Sequence, residues 1–416
     1  MESVLILYSG PSTRDFRDAC IAFLDAGFQP TFVGWLTSKR YEEHTVSVSA
    51  ILLVGNRSIL PATWNGSSFE SESAPAETPA ACVEVLGASI LERTCANLQN
   101  AGVAKIIVAI DESLAGFVSR SVRKKATVVP LSAGSNEAQE VDRLVRFHTN
   151  RANTVVLMRV NAYLDFDLAD ILRCHQFHGA RTTRVYDDDA PLEFWVINSS
   201  EANCSELISG GSEGGSEEDA RYFLSGYVNH LRTAADLRRL VVDAFRGRCR
   251  LKPYGREVRP GVWIAEGARV HACARIVAPA FIGRKANVCA SSLITRCSSV
   301  EGDSTIRSGT TVDDSSILAR TWVGAGLDVS HAVIDGSKCA HLTRDVTVQI
   351  NDPKLLRKID RWRFLKALLK STPQVRQQPG NIAIVPSVSA VPAAAYVNSS
   401  KEQYDNWESC NRQAIT

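Results

Sequence analysis

The chain has 416 residues, 45% hydrophobic and 22% charged, and its 47 Lys and Arg against 45 Asp and Glu leave a formal net charge of +2. That length exceeds one compact core and predicts two domains with additional segments. The charge balance excludes a global field for nucleic acid or an anionic membrane, and no apolar run reaches the ~18 residues that a membrane span needs.

In chain order, residues 3–8 read as a buried strand, Arg14 to Ala26 as a helix and Pro30 to Trp35 as a second strand, a β-α-β opening. Val46 to Val54 is strand-like and runs into Gly55-Asn56-Arg57, then into a long loop rich in Ser, Glu, Pro and Gly. From Ala81 the alternation resumes, with a strand at Cys82 to Leu86, a helix carrying Ile90, Leu91, Cys95 and Leu98, and the apolar strand Lys105 to Ile110. Further strands are expected at Thr127 to Leu131, Thr154 to Met158, Thr182 to Tyr186 and Glu193 to Ile197, with helices at Ala138 to His148 and Leu168 to His178. This pattern predicts a doubly wound α/β sheet. A flexible Gly/Ser/Glu segment, Ser209 to Glu218, precedes helices expected at Ala220 to Leu231 and Ala235 to Phe245.

The strongest signal follows. Val258, Ile264, Val270, Ile276, Ile282, Val288, Ile294, Val300, Ile306, Val312 and Leu318 recur every six residues, and the residue four after each aliphatic is small from Ala268 to Ser316. Helices and flat strands have side-chain periods of 3.6 and 2, so a period of six requires another geometry. A parallel β-helix supplies it: each hexapeptide gives one short strand, the aliphatic points inward and the small residue fits the corner. The repeat slips by one residue after Leu318 and continues through Val323 and Val329 to about residue 350. Lys354 to Lys370 reads as an amphipathic basic helix capping the open end. Residues 371–416 lack a core pattern and are expected to be disordered. Eleven cysteines without a C-x-x-C pair, and no basic stretch before an apolar core at the N-terminus, predict reduced thiols in a cytoplasmic protein.

An α/β domain followed by hexapeptide repeats resembles the sugar-nucleotide pyrophosphorylases, such as mannose-1-phosphate guanylyltransferases and glucose-1-phosphate nucleotidyltransferases. The likeness is carried by Ala50-Ile51-Leu52-Leu53-Val54-Gly55, by Thr78-Pro79-Ala80-Ala81-Cys82-Val83-Glu84-Val85-Leu86-Gly87-Ala88-Ser89-Ile90-Leu91-Glu92-Arg93, by His175 with Gly179-Ala180 and Thr182-Thr183, and by Gly226-Tyr227 to Asp236-Leu237. It implies a Rossmann-like nucleotidyltransferase domain over 1–248, a left-handed parallel β-helix over 249–350, a capping helix over 351–370 and a tail over 371–416. It also implies a reaction in which a hexose 1-phosphate attacks the α-phosphate of a nucleoside triphosphate and pyrophosphate leaves. A glycine-rich loop then holds phosphates, and carboxylates hold Mg²⁺.

On this resemblance Gly55, Asn56 and Arg57 are the nucleotide-binding residues, but the pattern breaks where the chemistry is densest. Ala80 stands where the family has a lysine, Asn161 where it has the first metal aspartate, and Asn229-His230 near the second. The expectation is a pyrophosphorylase-like protein of polysaccharide precursor metabolism with a degenerate site. Asp165 and Asp167 are the alternative metal ligands should Mg²⁺ be used. Two other classes compete: a regulatory subunit that binds sugar nucleotide and assembles, through the β-helix, with itself or an active homologue, and a β-helix acyltransferase. His175 and His178 beside Cys174 fit a solvated helix end better than a zinc site, which needs three or four ligands. His271, His331 and His341 could serve as general bases but show no partner acid in the sequence. Asp187-Asp188-Asp189 fits a solvated turn.

Overall fold

The computed structural model describes residues 47–60, 77–132, 136–148, 153–188, 190–198, 207–208 and 219–359. The opening β-α-β unit, the Gly/Ser/Glu segment and the C-terminal tail lie outside these residues.

The first part is a mixed α/β unit built on a seven-stranded sheet. Its strands and helices run β1 (Val48–Val54), β2 (Glu84–Val85), β3 (Ala88–Ser89), α1 (Ile90–Asn100), β4 (Lys105–Asp111), α2 (Arg120–Lys125), β5 (Thr127–Leu131), α3 (Glu137–His148), β6 (Thr154–Arg159), β7 (Tyr163–Leu164), α4 (Leu168–His178), β8 (Thr182–Asp187), β9 (Ala190–Asn198), β10 (Asp219–Phe223), β11 (Val228–Asn229) and α5 (Ala234–Phe245). The sheet order is β10-β8-β9-β6-β1-β4-β5. β1 lies between β4 and β6 and is buried along its whole length, so its near-continuous aliphatic run is what a strand covered on both faces needs. Ile51, Leu53, Ile107, Ala109, Val155 and Leu157 pack with Val141, Leu144 and Val145 of α3.

The half β6-β1-β4-β5 is parallel and Rossmann-like. The other half departs from the expected winding, because β9 runs antiparallel to both β6 and β8. Asp188, in the left-handed region at φ 49°, turns the β8–β9 hairpin, whereas Asp187 ends β8 and lies 3.3 Å from His230 Nε2, and Asp189 lies outside the described residues. The helix expected over Ala220 to Leu231 is not formed. Asp219–Phe223 instead adds an edge strand parallel to β8, and Val228–Asn229 pairs with Tyr163–Leu164. Gly226 lies between them, where a Cβ would sit 1.7 Å from the carbonyl oxygen of Asp165. Only glycine permits that approach.

The second part is a three-sided coil of short parallel strands. Ile264 pairs with Ile282, Ile282 with Val300, Val300 with Ile317 and Ile317 with Ile334 on one side. Val270, Val288, Ile306 and Val323 align on the second side, and Ile276, Ile294, Val312 and Val329 on the third. Three hexapeptides therefore make one 18-residue coil. The slip falls one unit earlier than the spacing suggests: Ile317, not Leu318, is the register partner of Val300. Adjacent residues of a strand face opposite ways, and two neighbouring aliphatics hide which one faces in.

Later coils are 17 residues long, and hydroxyls replace methyls at their corners. Ser304 Oγ donates to Leu318 O (2.9 Å) and accepts from Thr321 N (3.1 Å); Ser315 Oγ donates to Val329 O (3.2 Å) and accepts from Ala332 N (3.0 Å). Each such serine satisfies backbone groups that a shortened coil leaves without a ladder partner. Among the described residues strands stand at the far end, and 354–359, where the helix is expected to begin, are turn and strand. Lys338–His341 and Val346–Gln349 extend the first side antiparallel, and Leu356–Lys358 pairs antiparallel with Thr321–Val323. Residues 353–355 form a turn, and residues 360–370 lie outside the described set.

Two buried ionisable groups join the parts. Arg238 of α5 donates to Cys297 O, Arg296 O and Asp314 Oδ1 on the coil. Glu301 of the coil accepts from the backbone N–H groups of Leu86 (2.8 Å) and Gly87 (2.9 Å) in the β2–β3 turn. Burial, and then the nearby Glu84 carboxylate, push the Glu301 carboxyl up to about 8 from an ordinary value of 4.5. A folded-state pKa raised this way contributes stability that is complete below 4.5 and is lost as pH rises through about 8. The melting temperature of Glu301→Gln relative to the native chain should therefore rise with pH and level off above about 8. A pH-independent difference would show that folding leaves the Glu301 pKa unshifted.

Candidate functional site

In open α/β sheets, ligands bind outside the carboxyl ends of the strands. Here that edge brings together positions that are far apart in the chain. β1 delivers Gly55-Asn56-Arg57 and β6 delivers Val160-Asn161 beside it, with Val160 N donating to Leu53 O at 2.9 Å. Ala80 N donates to Arg57 O (2.8 Å), which folds the Pro79-Ala80 segment back onto the same place. The result is a cavity of about 200 Å³ lined by Gly55, Asn56, Arg57, Ala80, Ala81, Arg159, Val160, Asn161 and Glu193. Three elements of the expected site, Gly55–Arg57, Ala80 and Asn161, thus share one cavity.

Its charges are largely consumed internally. Arg159 donates to both carboxylate oxygens of Glu137 (2.9 Å each) and to Glu193 Oε1 (3.1 Å). Burial works against its charge, but these carboxylates outweigh burial and hold the guanidinium above its ordinary pKa. Asn161 Nδ2 donates to the other oxygen of Glu193. Arg57 Nη2 crosses the cavity mouth and donates to Asn161 O (2.8 Å) and His230 O (2.9 Å). Arg159, Glu193 and Glu137 are not apparent as site residues in the sequence. The available signal is that an arginine ends the apolar strand β6 and a glutamate interrupts the apolar strand β9.

The positions assigned to a metal do not fit one. The Asn161 amide is committed to Glu193. Asn229 is buried, accepts from Leu231 N (3.0 Å) and donates to Asp236 O (2.9 Å), so both ends of its amide hold backbone. Asp165 is also buried, with Tyr163 Oη on one oxygen (2.6 Å) and Arg250 N on the other (2.7 Å). Asp167 caps α4 by accepting from Ala169 N (3.0 Å). Neither aspartate lines the cavity. Among the described residues no group of three or more His, Cys, Asp or Glu side chains is arranged to hold a metal ion. Each side chain expected to hold Mg²⁺ is thus engaged within the protein, and the one carboxylate that lines the cavity, Glu193, is paired with Arg159.

The histidines also resolve. His175 is not at a solvated helix end: it is buried, with Nδ1 on Thr183 Oγ1 (2.8 Å) and Nε2 on Asn198 Oδ1 (3.0 Å). Burial lowers its pKa, as suits a neutral core imidazole. His331 does have a partner acid, since its Nδ1 lies 2.7 Å from Asp314 Oδ2. The two residues are 17 positions apart, one coil, which is why the sequence order does not reveal the pair. His271 Nδ1 accepts from Cys273 N at 3.1 Å, a turn contact.

Compared with known protein-family models and with curated proteins, the chain matches none. Among the described residues no helix is long and apolar enough to cross a membrane.

Proposed function

We propose that this chain is a sugar-nucleotide pyrophosphorylase-like protein whose α/β domain binds a nucleoside triphosphate or sugar nucleotide but has lost most of its nucleotidyl transfer to hexose 1-phosphate. One observation carries the proposal. Gly55–Arg57, Ala80 and Asn161, the positions picked out by resemblance, line a single cavity at the carboxyl ends of β1 and β6. The same cavity supports the loss of turnover, because its Arg159 is neutralised by Glu137 and Glu193 and its Asn161 offers no charge. A triphosphate needs backbone donors and uncompensated cations together.

In this proposal the coil winds left-handed and serves as an assembly surface, either for a second copy or for an active homologue in the cytoplasm. A regulatory subunit follows naturally from binding without turnover. The acyltransferase alternative draws on the His331–Asp314 pair, since a carboxylate-oriented imidazole can activate a hydroxyl. Asp314, however, is shared with Arg238 at 2.6 Å, so its charge also serves the contact between the two parts.

The test is a thermal-shift comparison of nucleoside triphosphates, sugar nucleotides and acyl-CoA against the full chain. A rise in melting temperature with a sugar nucleotide or triphosphate, absent with acyl-CoA, is expected, because a ligand held by the folded state alone stabilises it by mass action. A shift produced by acyl-CoA alone would overturn the proposal in favour of acyl transfer.

A further inference from the structure

The two positions at which the resemblance places metal carboxylates, Asn161 and Asn229-His230, are joined in this structure by one side chain. Arg57 Nη2 donates to Asn161 O at 2.8 Å and to His230 O at 2.9 Å. Both partners are backbone carbonyls, which anchor the guanidinium without neutralising it. Among the described residues Arg57 makes no ion pair, whereas Arg159, the other cation of the cavity, is engaged by two carboxylates. A guanidinium has five N–H donors in a fixed plane, and the two on Nη2 suffice for both carbonyls. Among the described residues those on Nε and Nη1 have no hydrogen-bond partner and can serve a ligand.

We infer that Arg57 supplies, as a resident charge fixed across the cavity mouth, the positive charge that a divalent cation supplies in the resembled enzymes, and that the cavity takes a diphosphate-bearing ligand of the nucleoside diphosphate sugar class without a metal. The inference rests on the proposed nucleotide-site reading and adds to it the way in which the anion is held. The amides of Asn161 and Asn229 are occupied within the protein, and Glu193, the carboxylate that lines the cavity, is held by Arg159 and by Asn161 Nδ2. A guanidinium, by contrast, matches the two oxygens of a phosphate with parallel N–H groups and stays charged at any physiological pH. The Ala80 position fits the same economy, since it brings no second cation to the cavity.

The experiment is titration calorimetry of the full chain with guanosine, uridine, adenosine and thymidine diphosphate hexoses, first in EDTA and then in excess Mg²⁺. At least one should bind with the same Kd in both buffers. Arg57→Gln should weaken that binding about tenfold or more, the loss expected for one charge-assisted contact. Arg57→Lys, which keeps the charge but not the fork, should fall between. Asn161→Asp places a carboxylate against Glu193 and beside Arg57; it should weaken binding in EDTA and make it recover with Mg²⁺. Arg57 is exposed, so its variants should melt like the native chain, which separates lost binding from lost folding. Native binding that requires Mg²⁺, or native affinity in Arg57→Gln, would overturn the inference while leaving the nucleotide reading intact. No binding of any of these ligands in either buffer would overturn both.

Discussion

Ala280→Phe is expected to lower the stability of the chain by about 3 kcal/mol, the upper part of the range for overpacking a closed core. Ala280 is fully buried, and its strand lies between Val262–Ile264 and Ser298–Val300 in the first side of the coil, directly before the buried Phe281 and Ile282. A larger side chain there has no direction in which to relax, because the next coil is stacked one strand spacing away. Arg275 lies in a neighbouring strand but is exposed, so Arg275→Ala should change stability by less than about 0.5 kcal/mol. Thermal unfolding followed by circular dichroism measures both. Similar losses at the two sites would remove the packed coil from the account.

Arg238→Ala should cost about 3 kcal/mol, less than the loss of a fully buried charge partner because Asp314 is one-third exposed and partly screened. The arginine is itself buried and reaches Cys297 O (2.7 Å), Arg296 O (3.1 Å), Asp314 Oδ1 (2.6 Å) and Ser316 Oγ (3.4 Å). Arg296, Cys297 and Asp314 all adopt positive φ, at 50°, 58° and 44°. Such backbone is held by its surroundings, and Arg238 is one part of them at Arg296, Cys297 and Asp314. Removing it leaves two carbonyls without donors and weakens the link between α5 and the coil. Denaturant unfolding should then separate into two transitions, the α/β unit melting apart from the coil. One cooperative transition at the native midpoint would show that Arg238 does not couple them.

The readily legible parts of the fold were those in which a single physical requirement acts on every residue of a run. β1, β4 and β6 must be apolar on both faces, and their sequences show it. The coil needs an aliphatic and a small residue every six positions, and Ile264 to Val312 supply both. Direction and register were less visible. Nothing local in Thr182 to Asn198 distinguishes an antiparallel hairpin from two parallel strands, because the pleat is the same in both. Residues 220–231 look helical in isolation because the constraint on Gly226, the backbone of Asp165, lies 61 positions earlier in the chain and is felt only on folding.

The candidate site divides the same way. Gly55, Ala80 and Asn161 are picked out by the resemblance of the motifs around them, which is carried in the sequence. The ion pairs of Arg159 with Glu137 and Glu193 span 22 and 34 residues, and the Arg57 contact to His230 spans 173. These contacts, invisible to any local pattern, set the charge of the cavity.

The claim at the centre of this account is that binding and turnover are separated in the cavity of Arg57, Arg159 and Asn161. Its most direct test is pyrophosphate release by the native chain, with Mg²⁺, across the common nucleoside triphosphates and hexose 1-phosphates, alongside calorimetric binding of the same nucleotides. Measurable binding with little or no pyrophosphate is expected. Robust Mg²⁺-dependent release that survives Asn161→Ala would contradict it, and would require carboxylates other than those described to come together around the metal.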